Sequence, residues 1–125
     1  MKVSTSTNQS FDPLAGGIFP AACPSRTVLD HVSSKWGVLI LVALAQGPQR
    51  WSELRRRAQG ISEKMLAQTL KTLEGDGFIL RDAQPVIPPR VDYSLTSRGS
   101  ELVALLVPLL EWINVHAEDI VNGQA

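Results

Sequence analysis

Residues 62–75 constrain this chain more than any other stretch. On a wheel of 3.6 residues per turn, Leu66, Leu70 and Leu73 fall on one side, at spacing i, i+4, i+7. Lys64, Gln68 and Lys71 repeat that spacing on the opposite side. The pattern predicts a helix with an apolar inner face and a polar, basic outer ridge that has no acid at its centre. Ser62 is placed to cap it, because a serine oxygen there accepts from a backbone N–H that otherwise lacks a partner. Gly75-Asp76-Gly77 is placed to end it.

A shorter helix is predicted just upstream, over about Ser52 to Ala58, with Ser52 as its cap. Gln59-Gly60-Ile61 then makes a tight turn. Two helices joined by three or four residues that include a glycine form the pattern of a helix-turn-helix. Two strands follow. The first is Phe78 to Asp82. In the second, Val91, Tyr93 and Leu95 alternate with Arg90, Asp92 and Ser94, so that one face is buried and one is wet. Between them, the three prolines of Gln84-Pro85-Val86-Ile87-Pro88-Pro89 stiffen the connection and stop it from pairing further. A stiff-tipped hairpin directly after a helix-turn-helix is a wing.

The flanks read as helices. Pro24, after Cys23, suits the first position of a helix, and Val28, Leu29 and Val32 follow at helical spacing. Ser33-Ser34 marks a break. Trp36 to Leu44 is almost wholly apolar, as in a buried helix, and Gln46-Gly47-Pro48 ends it. Thr96 caps a last helix running to about Val121. Its apolar stripe, which includes Leu102, Leu106, Leu109 and Trp112, is too broad for one neighbour to cover. Pro108 within it predicts a kink. Residues 1–22 are rich in Ser, Thr, Gly and Pro, without periodicity, and read as a mobile arm. The expected organisation is an arm over 1–22, a mainly α winged helix-turn-helix with a small β-hairpin over 23–98, and a dimerisation helix over 96–125.

A chain of 125 residues is the size of one ordinary domain. Its formal net charge is 0, which suits a nucleic-acid binder less well than a basic total would. The distribution offsets that. Arg50 to Lys71 holds six basic and two acidic residues, while Glu101 to the end holds four acids and no Lys or Arg. One face can be basic in a neutral molecule. The single cysteine, Cys23, excludes an intrachain disulfide framework. The first 24 residues lack the pattern of a signal peptide, and no run approaches the ~18 apolar residues of a membrane span. A cytoplasmic protein with no membrane partner is expected. The two histidines, His31 and His116, are far apart, with no metal-ligand spacing, phosphate loop or nucleophile elbow. No enzymatic activity, metal or cofactor is expected.

The ridge of Lys64, Gln68 and Lys71 suits the DNA major groove, which admits an α-helix. Gln can bond adenine at two points, and Lys can donate to guanine or phosphate. Ser62 sits where backbone N–H groups favour a phosphate. Arg55, Arg56 and Arg57 suit phosphate positioning. Arg90, beside the wing tip, can reach the minor groove or a phosphate. The plainer alternatives are solvated faces, with one Arg of that run paired to Glu53 and Arg90 paired across the strands to Asp82.

Several stretches together resemble the HxlR-type winged-helix transcriptional regulators. They are Cys23-Pro24, Lys35-Trp36, Glu53-Leu54, Gly60-Ile61-Ser62-Glu63-Lys64-Met65-Leu66, Leu70-Lys71-Thr72-Leu73-Glu74, Gly77, Pro88-Pro89-Arg90-Val91-Asp92-Tyr93-Ser94-Leu95-Thr96 and Gly99. The resemblance covers about residues 23–115 and departs at Ser33-Ser34 and Gln84. It implies a homodimer on a palindromic operator in double-stranded DNA, with the helix from Ser62 in the major groove.

The same resemblance marks Cys23 as a sensor of oxidants or electrophiles. An N-cap position, with Arg26 nearby, would stabilise its thiolate. The alternative for Cys23 is an inert residue that locks the start of the helix. Two further alternatives stand: a winged helix used only for protein contacts, and a small-molecule effector pocket lined by Trp36, Trp51 and Trp112.

Overall fold

The computed structural model describes residues 18–123. The chain divides between Asp30 and His31 into two units. Of the expected arm, residues 1–17 lie outside the described residues, and 18–22 form bends and a turn. The first helix, α1 (Pro24–Val32), starts at the proline, as predicted. Just before it, the Cys23 N–H donates to the Pro20 carbonyl at 2.9 Å, and the Arg26 guanidinium donates to the Phe19 carbonyl at 3.1 Å.

The second unit runs α2 (Lys35–Leu44), β1 (Gln49–Arg50), α3 (Trp51–Arg57), α4 (Glu63–Gly75), β2 (Ile79–Gln84), β3 (Arg90–Leu95) and α5 (Ser97–Val121). The three strands form an antiparallel sheet in the order β1-β3-β2. This is a winged helix-turn-helix, mainly α with a small hairpin.

The core forms around α4. Leu66, Leu70 and Leu73 are all buried, as their spacing predicts. They belong to one cluster with Ile40, Leu41 and Leu44 of α2, Leu54 of α3 and Val103 of α5. Burying each such leucine contributes about 1.5–3 kcal/mol. Ile61, just before the Ser62 cap, and Leu66, in the first turns, are both buried in this cluster and so set the angle at which the chain enters α4.

The junction of wing and α5 is tight. Thr96 Oγ1 donates to the Gly77 carbonyl at 2.6 Å and accepts from the Gly99 N–H at 3.1 Å. A Cβ at Gly99 would lie 2.0 Å from the Phe78 carbonyl oxygen, so only glycine allows the helix to start this close to the strand.

Several expectations need correction. Strand β2 begins at Ile79 and runs on to Gln84, where it pairs with Arg90, so the wing loop shrinks to 85–89. Pro85 is the first residue there that has no N–H to donate. Strand β1 was not predicted; two residues are too few to show periodicity. Helix α3 starts at Trp51, with Arg50 rather than Ser52 as its N-cap. The Arg50 N–H donates to Glu53 Oε1 at 2.8 Å, so the carboxylate three residues on ties down the N-cap backbone from inside the helix. Helix α5 carries Pro108 inside it, where the sequence places it. At 25 residues it is also long and apolar enough to cross a membrane by length and composition, contrary to the sequence count. Counting uninterrupted apolar runs had hidden this, because Glu101, Glu111 and Pro108 divide the stretch. Its inner side, Leu102, Val103, Leu106 and Val107, packs on the protein's own core.

Candidate nucleic-acid interface

Helix α4 is held at both ends. Ser62 Oγ accepts from the Met65 N–H at 3.0 Å, so the serine caps the helix as predicted. At the other end, the Asp76 carboxylate meets His31 Nδ1 at 2.7 Å, and Arg98 donates to the Asp76 carbonyl at 2.8 Å. Gly77 follows at φ +81°, a conformation in which glycine carries no strain. Nothing in the local pattern could have linked His31 to Asp76, 45 positions apart.

With α4 fixed, its outer ridge is open. Ser62, Lys64, Gln68 and Lys71 are all exposed. The side chains of Lys64, Gln68 and Lys71 have no hydrogen-bond or ion-pair partner among the described residues. Arg55, Arg56 and Arg57 are exposed on the preceding helix. Of this run, Arg55 pairs with Glu63 at 3.6 Å, and none of the three pairs with Glu53 among the described residues, where Glu53 Oε1 accepts from the Arg50 N–H. This weak exposed pair links α3 to α4 and leaves Arg56 and Arg57 unpaired among the described residues.

In the wing, Arg90 Nε lies 3.3 Å from Asp92 Oδ1 on its own strand, not on Asp82. The register explains this. Asp82 stands opposite Asp92 and Gln84 opposite Arg90, so Gln84 also donates to Asp92, at 2.8 Å. Arg90 and Gln84 together offset two facing carboxylates. At the tip, Ile87 is 99% exposed.

The three tryptophans do not converge. Trp36 is half-buried under the ammonium of Lys35, 4.4 Å from its ring. Trp112 is exposed on α5 and stacks on His116 at 4.2 Å. Trp51 instead lines an open cavity beside α4, with Leu70, Arg81 and Tyr93. Sequence reasoning missed this cavity, because residues from α3, α4 and both hairpin strands meet there only after folding.

Cys23 is half-buried immediately before α1. A hydrogen bond from the Arg26 backbone N–H holds its thiol below the ordinary value. Hydrogen bonds from Ser25 and the Arg26 charge act in the same direction, against a lesser desolvation effect. Among the described residues no group of three His, Cys, Asp or Glu could hold a metal ion.

The profile of the HxlR-like helix-turn-helix family matches residues 31–120. The chain belongs to this family. It is 52% identical over 105 residues to the HTH-type transcriptional regulator YtfH of Escherichia coli, covering 84% of this chain and 83% of that protein. Among solved structures, the regulator ytfH from Salmonella typhimurium superposes with a TM-score of 0.80 at 50% identity, over 86% of this chain and 96% of that one. The redox regulator HypR in its oxidized form gives a TM-score of 0.69 at 33% identity, over 74% and 96%. Members of the family are transcriptional regulators, not enzymes, and their helix-turn-helix is a DNA-binding element.

Proposed function

We propose that this chain works in the cytoplasm as a homodimeric repressor on a palindromic operator. Ser62, Lys64, Gln68 and Lys71 enter the major groove, while Arg55, Arg56 and Arg90 engage the DNA backbone. The observation that carries this reading is the ridge of Lys64, Gln68 and Lys71, exposed and without internal partners on the second helix of the helix-turn-helix. Residues 1–22 serve as an arm, 23–98 as the reading domain and 96–125 as the dimerisation helix. The stripe of Leu105, Leu109, Trp112 and Ile113, at spacing i, i+4, i+7, i+8, supports the last assignment, since each is exposed on α5. Its occupant is a second copy, which sets the two α4 helices about one DNA turn, ~34 Å, apart.

The test is salt. If Arg55, Arg56 and Arg90 of both copies neutralise phosphates, log affinity for a selected duplex falls against log salt with a slope of about −5. A flat response measured by fluorescence anisotropy would leave a winged helix used for protein contacts.

We further propose that Cys23 releases the repressor when it is modified. The lowered thiol supports this, as does the likeness to a redox regulator. The thiolate adds to a quinone ring carbon, forming an S–C bond, and the ring takes up a proton to give the hydroquinone. Wild type is expected to leave its operator on treatment with benzoquinone, and Cys23→Ser is expected to stay bound. Equal release of both would exclude Cys23 as the sensor.

A further inference from the structure

We propose that the cavity between α4 and the sheet binds a planar aromatic carboxylate, and that this ligand competes with DNA for Lys71. The competition rests on the DNA-binding reading given above; the pocket does not. The cavity has a volume of about 300 Å³, the lower end of the range for small-molecule sites and enough for one or two fused rings. Its walls are aromatic and apolar: Trp51 from the start of α3, Leu70 from α4 and Tyr93 from β3. Tyr93 is 8% exposed, and its hydroxyl has no hydrogen-bond partner among the described residues.

The charges select an anion. Arg81 stands directly opposite Tyr93 in the register, so both side chains leave the same face of the sheet. Lys71 approaches from α4. Neither cation has an ion pair among the described residues. Glu74 is the single acid in the lining, which leaves a surplus of one positive charge. One carboxylate on a flat ring satisfies that surplus, with the ring between Trp51 and Tyr93.

The link to DNA lies in the helix geometry. The α4 residues of the cavity, Ala67, Leu70, Lys71 and Glu74, form a stripe between the buried leucines and the outer ridge. Lys71 belongs to both the stripe and the ridge. An anion seated in the cavity takes the ammonium from the duplex and places a negative charge beside the phosphates. Each ligand therefore weakens the other by the same factor.

The experiment uses 2-naphthoate with the full chain. Calorimetry without DNA is expected to show saturable binding of one naphthoate per chain, and none of the uncharged 2-naphthamide. Arg81→Gln removes a charge-assisted hydrogen bond and is expected to weaken naphthoate about tenfold or more. Ala67→Leu, which fills the cavity from an exposed helical position, is expected to weaken it as well. Saturating naphthoate is then expected to lower duplex affinity several-fold at fixed ionic strength. Absent binding, equal binding of the amide, or unchanged binding by both variants would overturn the pocket. Naphthoate binding that leaves duplex affinity unchanged would overturn the competition. A chain that bound naphthoate but no duplex would overturn the regulator reading and leave the pocket standing.

Discussion

Lys64→Ala combined with Gln68→Ala is expected to cut operator affinity by about a thousandfold while leaving the melting temperature within a few degrees of wild type. Each good base contact is worth about 1–3 kcal/mol of discrimination. A dimer makes each contact twice, so four contacts at the low end give about 4 kcal/mol, or three decades. The fold should not notice. Both side chains are exposed and unpartnered, and alanine is a better helix former than either residue. Anisotropy on a duplex selected from a random pool gives the affinity, and thermal unfolding gives the control. Parallel loss of binding and stability would mean that the ridge is structural.

Leu109→Glu is expected to convert the proposed dimer to a monomer at micromolar concentration and to lower operator affinity by 10²–10⁴ through lost avidity. A two-fold interface would bury the new carboxylate in both copies, each without a partner. Leu109 is 52% exposed on the single chain, so the substitution spares the protomer's own core. Leu106 differs by facing that core, and Leu106→Glu would confound association with folding. Sedimentation velocity decides: an intact Leu109→Glu dimer would remove α5 from the interface.

The legible parts of the fold were those written in local repeats. Leu66, Leu70 and Leu73 announced α4 and its buried side, and Ser62 and Thr96 announced the caps of α4 and α5. The missed parts were those set by distant partners. Strand β1 exists because Gln49 and Arg50 find Tyr93 and Asp92 in β3. Arg55 reaches Glu63 across the turn into α4, a pairing that no spacing within one helix could show. The candidate site divides in the same way. Its outward ridge was visible in one helix. The cavity of Trp51, Arg81 and Tyr93, and the His31–Asp76 clamp, depend on how separate elements dock.

That clamp and the Gly99 junction bear on how such a dimer would measure DNA. Asp76 fastens the far end of α4 to His31 and, through its carbonyl, to Arg98 at the start of α5. Gly99 presses that same start against Phe78 with no room for a methyl group. In the proposed dimer, α4 and α5 would thus form one stiff caliper, with no soft joint between the jaw and the pivot. Half-site spacing would then be machined into the length of α5, and lengthening that helix by a single residue between Gly99 and Leu105 would swing the jaws out of step with the duplex.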